Sequence, residues 1–408
     1  MRTSGKTDSA QGAAGESCPL CGSADLVSVI DIPDVPIFCN VLWSSAGAAR
    51  KAPRGRIALS YCPSCTHLHN RSFDPVAVQY APDYENSLHF SDRFNTFAAN
   101  LAERLVARYD LRATTIVELG CGQGDFLRMI CAAGENRGIG FDPSYSDEPS
   151  APSHSDGLDL EIRRRLFGAE DHGLRPSLVC CRHVLEHVPD PRSFIAELYS
   201  WLASRPDTTL YFEVPNARYT LEHGGVWDLI YEHHSYFTLE SLVGVFQDIG
   251  FHVQASGQAF GGQYIYVEAG VSPSPVGQQP LTSEISSRDA LRLNVEAFGR
   301  TFESLVTDWQ QRLQEAHATG SSVGLWGAGS KGATFLNVVD PGKSVSFVVD
   351  ISPRKQGKHV AGTGHRVVPP HSLLERSCDT MVVMNPLYVE EIAGMLHELG
   401  VSCRLVVP

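Results

Sequence analysis

No run of about 18 apolar residues occurs in the 408-residue chain, so no segment reads as a helix that crosses a bilayer. A basic excess is missing too. The 33 Lys and Arg stand against 46 Asp and Glu, a net charge of -13, which excludes binding to nucleic acid or anionic membrane through bulk charge and favours small-molecule partners. The opening stretch "MRTSGKTDSAQGAAGESCPL" has no apolar core, so no secretory leader is read there and a cytoplasmic protein, monomer or homodimer, is expected. Repeats of 20 to 50 residues are absent, which excludes solenoids and propellers. Cysteine is present in an odd number, 11; without a leader this argues for reduced thiols and turns attention to tight pairs.

What is present divides into parts, since 408 residues exceed one ordinary core. Residues 1–16 are rich in Gly, Ala and Ser and read as a disordered tail. Residues 17–88 carry two short strand patterns between "CPLC" (Cys18, Cys21) and "CPSC" (Cys62, Cys65). Two knuckles of paired thiolates are what a closed tetrahedral Zn2+ site requires, and a core this small needs such a staple. Redox pairs or unliganded thiols are the other readings. Cys180 and Cys181, in the apolar strand "SLVCCR", read as core thiols.

Residues 89–270 alternate strand and helix patterns, the signature of a doubly wound α/β sheet. In it "TIVELGCGQGDFL" runs from an apolar strand through Glu118, Gly120, Gly122 and Gly124 into a helix, and the next strand, "RGIGFD", ends at Asp142. Glycines at a strand's carboxyl edge let a ligand approach the backbone, and a carboxylate one strand later can bridge a ribose diol. This pattern resembles the class I S-adenosylmethionine (SAM) methyltransferases, which implies a SAM site on those five residues. "CRHVLEHVPDP" spells the H-x-x-E-H of some zinc peptidases, but Pro189 and Pro191 deny it the long helix that chemistry needs. His187 falls at the mouth of the expected pocket.

"IYEHHSYFT", residues 230–238, lies in an insertion after the fifth strand. A histidine beside a carboxylate suits removal of an acidic C–H proton; a polar, packed helix start is the structural alternative. Three adjacent residues cannot converge on one ion, so no metal is expected there. With the cysteine knuckles, the SAM loop and a C-terminal α/β unit, the chain resembles the sugar C-methyltransferases of deoxysugar and antibiotic biosynthesis. That resemblance implies His233 as base with Glu232 beside it, and as acceptor a nucleotide-linked keto sugar methylated alpha to its carbonyl. Tyr84 aligns with a substrate-side tyrosine of the family. Its other tyrosine position holds Ile230, leaving Tyr231 as the nearby phenol for substrate.

After a Pro/Gln/Ser linker at 271–286, residues 287–408 give a long helix and a second alternating unit. "VGLWGAGSKGATFLN" has true G-x-G-x-x-G spacing and the next strand ends at Asp350, which by spacing alone is a dinucleotide site. The resemblance points instead to a Rossmann-like domain that does not use NAD, with Lys331 facing a substrate diphosphate; an unliganded scaffold is the third reading. The fold expected is α/β: a class I SAM methyltransferase domain, a zinc-binding N-terminal subdomain and a C-terminal Rossmann-like domain. Rival functions are methylation of O, N or another acidic carbon, a non-catalytic nucleotide-binding scaffold, and an oxidoreductase using the second loop.

Overall fold

The computed structural model describes residues 17–78, 86–146, 157–273, 288–340 and 344–408. The expected tail at 1–16, Tyr84 and linker residues 274–286 lie outside them.

β1 (Val27–Pro36), β2 (Arg54–Tyr61) and β3 (Leu68–Asn70) form an antiparallel sheet, joined between β1 and β2 by the short helix α1 (Ala46–Ala49). The alternation of β2 turns Ile57, Leu59 and Tyr61 inward, each almost fully buried. Helix α2 (Asp92–Tyr109) opens the next unit, capped by the Ser91 hydroxyl accepting the Phe94 N–H.

The central sheet carries β4 (Thr115–Leu119), β5 (Arg137–Phe141), β6 (Leu160–Arg163), β7 (Leu178–Arg182) and β8 (Thr209–Pro215), all parallel. Helices α3 (Asp125–Gly134) and α4 (Pro191–Leu202) connect them. After β8 the chain leaves the sheet through α5 (Ala217–Glu222) and returns only at α6 (Leu239–Ile249). In between, the two-residue strand β9 (Ser235–Tyr236) pairs antiparallel with β3, so the insertion joins the N-terminal sheet. The Asn70 N–H, donated at 2.9 Å to the His234 carbonyl, extends that pairing. β10 (His252–Ala259) and β11 (Tyr264–Gly270) complete a seven-stranded sheet in the order β10-β11-β8-β7-β4-β5-β6, with β11 antiparallel to both neighbours.

α7 (Arg288–Ala318) then leads to β12 (Val323–Trp326), α8 (Ser330–Val338), β13 (Val345–Val349), β14 (Val367–Val368), β15 (Thr380–Val383), α9 (Val389–Glu398) and β16 (Arg404–Val406). Their five strands are all parallel, ordered β14-β13-β12-β15-β16. The N-terminal sheet does not have a core of its own: Ile57 and Tyr61, Trp227 and Ile230 of the insertion, Phe298 of α7 and Phe335 of α8 belong to one apolar cluster. Cys180 and Cys181 are buried core thiols, as read from the strand pattern. Among the described residues no helix is long and apolar enough to cross a membrane.

Burial has a titration consequence in β3. His69 is 1% exposed, and loss of hydration pushes its pKa down to about 4, with His234 adding to the effect. The unfolded chain takes that proton near pH 6.5 and the folded chain does not, so the stability His69 contributes is present above pH 6.5 and lost as pH falls. From about pH 6.5 to about pH 5 the loss is about 2 kcal/mol, at 1.36 kcal/mol per pH unit. Denaturant unfolding across that range should show His69→Gln losing stability less steeply than the parent; parallel slopes would refute it.

Candidate functional site

The four cysteines of the two knuckles converge. Cys18 and Cys65 sulfurs lie 3.6 Å apart, Cys21 and Cys62 3.5 Å apart, and all four donor atoms are within 4.8 Å of one another. None is in a disulfide. A tetrahedron with Zn–S bonds of about 2.3 Å has edges of about 3.8 Å, so this donor set fits a tetrahedral ion. The Cys62 and Cys18 backbones each accept the N–H four residues on, from Thr66 and Gly22, which curls each knuckle around its pair.

The first glycine loop connects β4 to α3. Gly120 and Gly122 adopt φ of +69° and +54°, and a Cβ on Gly120 would stand 2.2 Å from Val184, so side chains are excluded at that turn by strain and by space. The Gly122 N–H donates to the Asp142 carboxylate at 2.8 Å. Glu118, Gly120, Gly122 and Asp142 all border one cavity. Gly124 does not; it heads α3 at φ +79°, where a Cβ would meet Ile162 at 2.6 Å, so its role is helix packing. Burial pushes the Glu118 carboxyl up to about 8, against the opposing pull of Arg182.

The insertion corrects the sequence reading at two residues. Glu232 is fully buried, and its carboxylate accepts the Cys39 N–H at 2.8 Å; it is directed to the N-terminal loop and does not border the cavity. The carboxylate near His233 is Glu186, which with His187 presents donor atoms within 4.8 Å of those of His233. Residues 230–233 form a turn closed by the His233 N–H donating to the Ile230 carbonyl at 3.2 Å, which sets its two ends, Ile230 and His233, on the cavity and its middle residues, Tyr231 and Glu232, off it, so adjacency put the wrong acid beside the imidazole. Tyr231 is also turned away: its hydroxyl accepts the Asp74 N–H at 3.0 Å and donates to the Ser72 carbonyl at 3.3 Å, its ring stacks on Phe73, and it is not at the cavity wall. Ile230 takes the wall position.

His233 and His187 both face the cavity, their rings edge to face at 4.8 Å. Burial pushes His233 down to about 3, with His187 contributing and Glu186 opposing. A backbone carbonyl only accepts, so the 3.0 Å contact of His187 Nδ1 with the Glu232 carbonyl puts the proton on Nδ1 and leaves Nε2 a lone pair.

Sequence reasoning overlooked the support beneath this pair. Arg182 lies 2.9 Å from Glu213, and His183 stands 3.3 Å from Glu213 and 3.7 Å from Glu186. Burial depresses His183, but the two carboxylates outweigh it and raise it to about 9. Burial likewise opposes ionisation of Glu213, yet Arg182 and His183 draw it down to about 2. The group is a compensated cluster of two positive and two negative side chains. Its signal was an Arg, a His and a Glu toward the carboxyl ends of strands that are otherwise largely apolar.

The second glycine loop follows β12. Gly327 has φ +108°, and a Cβ on Gly332 would stand 2.0 Å from the Gly327 carbonyl. Asp350 accepts the Ala328 N–H and the Ser352 N–H, each at 2.8 Å, and Lys355 lies 3.7 Å from it, buried. Lys331 pairs with Asp228 of the insertion at 2.6 Å, bridging the two domains.

Both loops open onto a single cavity of about 780 Å³. Its wall runs from Glu118 and Asp142 through His187 and His233 to Lys331 and Asp350, with residues 86–91, Phe94 and Tyr388 closing the sides. That volume holds more than one mid-sized ligand or one large one.

Two protein families match the chain. The Methyltransferase domain family matches residues 89–256 and the C-methyltransferase C-terminal domain family matches residues 281–408. The C-methyltransferase NovU of Streptomyces niveus is 24% identical over 409 residues, covering 96% of this chain and 95% of that protein. A ubiquinone biosynthesis O-methyltransferase of Hydrogenovibrio crunogenus is 32% identical over 109 residues, covering 26% of this chain and 44% of its own length. Among solved structures, that of the mitomycin 7-O-methyltransferase MmcR aligns over 44% of this chain and 55% of its own at 19% identity, with a TM-score of 0.35. Two methyltransferase families in tandem, on the two domains whose glycine loops share one cavity, make this chain a SAM-dependent methyltransferase carrying the C-methyltransferase C-terminal domain.

Proposed function

We propose that the chain methylates carbon alpha to a carbonyl, on a nucleotide-linked keto-deoxysugar, with His233 as the base. The observation that carries this reading is the shared cavity: the glycine loop of the methyltransferase domain, the imidazole of His233 and Lys331 of the second loop all border it. The donor end would be held by Glu118, Gly120, Gly122 and Asp142, and a cationic ligand there would favour the ionised form of the Glu118 carboxyl. When bound, SAM supplies an electrophilic methyl carbon. The chain's residues take the acceptor's proton, exclude water and hold the reacting atoms close.

His233 starts as a weak base, pushed down to about 3 by burial. It gains basicity if negative charge develops on the acceptor's oxygen beside it, and Glu186 stabilises the imidazolium from the other side. Lys331 would leave Asp228 for the substrate diphosphate, a charge-assisted exchange. The four cysteines are assigned to a structural Zn2+, because a closed four-thiolate site keeps no open position for chemistry.

One observation favours a second reading. The wall position where the resembling sugar enzymes carry tyrosine is Ile230, facing the cavity, which removes a phenol from the acceptor side; methylation of O, N or another acidic carbon of a non-sugar intermediate would need less there. Incubation with SAM and a keto-deoxysugar nucleotide in heavy water separates the two. Deuterium or methyl gain at the alpha carbon is expected; neither appearing would remove the sugar assignment.

A further inference from the structure

We infer that Glu186, His187 and His233 form a second divalent-cation site, inside the cavity, whose occupant takes the lone pair that His233 needs to act as a base. One ligand atom from each lies within 4.8 Å of the others. For metal–nitrogen bonds of about 2.0–2.1 Å, tetrahedral donors stand about 3.4 Å apart, so the three must draw together by up to about 1.4 Å. His233, held by ring packing against His187 and Tyr236, can supply that movement by rotation. Glu186 and His187 are consecutive in the 3-10 turn Leu185–His187 after β7, and His233 arrives from the insertion, so the fold brings the set together from two sides.

Two further observations point to a ligand rather than a chance cluster. The His187 Nδ1–H is committed to the Glu232 carbonyl at 3.0 Å, the outer hydrogen bond by which metal-binding histidines are oriented, and it fixes the tautomer in which Nε2 carries the ligating lone pair. Glu186 is 2% exposed, and its Oε2 has no hydrogen-bond partner among the described residues, although buried carboxylate oxygens are normally satisfied. Two imidazoles and a carboxylate suit zinc and neighbouring first-row cations, and three protein ligands leave positions open to the cavity. The four cysteines, all soft and closed, form a different kind of site.

The inhibition rests on His233 being the base; the binding does not. The test is therefore spectroscopic. The full chain with Zn2+ on its cysteines is titrated with Co2+. The expected result is a saturable, stoichiometric visible d–d spectrum of nitrogen and oxygen ligation, without a thiolate charge-transfer band. Glu186→Gln and His187→Ala should each weaken it at least about tenfold while still binding S-adenosylhomocysteine. No saturable visible band, or thiolate-type absorption alone, overturns the site, and so does parent-like affinity in both variants. Where deuterium exchange is measurable, Co2+ at saturation should suppress it; undiminished exchange with the band present overturns the shared lone pair.

Discussion

Cys62→Ser is expected to abolish stoichiometric zinc and, with it, the placement of a histidine 171 positions downstream, Cys62 and His233 being separated by 233 minus 62. Cys62 is fully buried at the end of β2. The knuckle it heads returns the chain into β3, and β3 pairs with β9 through Leu68 with Tyr236 and His69 with Ser235. His233 is two residues upstream of β9. A structural zinc contributes about 10–16 kcal/mol of apparent binding energy to small metal-dependent domains at pH 7, and a serine hydroxyl replaces a thiolate poorly. Zinc analysis, calorimetry and turnover together check this: zinc below stoichiometric, an added early unfolding transition, and methyl transfer lost beyond the drop in folded protein. Full zinc content and unchanged melting in Cys62→Ser would dismiss the structural-zinc assignment. If zinc is lost and turnover persists, the cysteine cluster stands and its link to His233 fails.

How much of this was readable in advance follows from what each signal encodes. The glycine loops were legible because a tight turn with positive φ at Gly120 and Gly327 admits little else. The strands of both sheets were legible because buried parallel strands read as continuous apolar runs, as in "SLVCC" and "VSFVV". The cysteine knuckles were legible because chelation demands close spacing. What failed was direction. The eye pairs Glu232 with His233 because they are adjacent, but the two occupy different positions of the turn closed by the His233 N–H on the Ile230 carbonyl, and the structure directs Glu232 to Cys39. The same turn removed Tyr231 from the cavity and left Ile230 on it. The His183, Glu186 and Glu213 cluster was hidden for another reason: its members come from β7, the turn after it and β8, and only the parallel register of Arg182 with Glu213 brings them together. Shared burial between the N-terminal sheet and the C-terminal domain is long-range packing, which no local pattern encodes.

His233→Asn should lower alpha-carbon deuterium exchange by about 10²–10⁴-fold, the usual contribution of a positioned general base, and leave S-adenosylhomocysteine binding unchanged, since Glu118, Gly120, Gly122 and Asp142 are untouched. Two neighbours then separate geometry from adjacency. Glu186→Gln removes the carboxylate whose charge opposes the depression of His233 and should cost much of the same activity. Glu232→Gln keeps an oxygen for the Cys39 N–H and should cost little. The reverse order, with Glu232→Gln crippled and Glu186→Gln active, would restore the adjacent pair and refute the assignment to Glu186. The pH profile gives an independent reading. Burial pushes His233 down to about 3, so in the free enzyme its lone pair is present throughout the range above that and is lost only as pH falls through it. An ordinary histidine base would be lost near pH 6.5. Exchange at limiting acceptor, which reports the free enzyme, should therefore show no acid limb near 6.5 from this group, within the range where the fold survives. A limb near 6.5 that vanishes in His187→Gln and persists in His233→Asn would transfer the base to His187, the imidazole that shares its wall of the cavity.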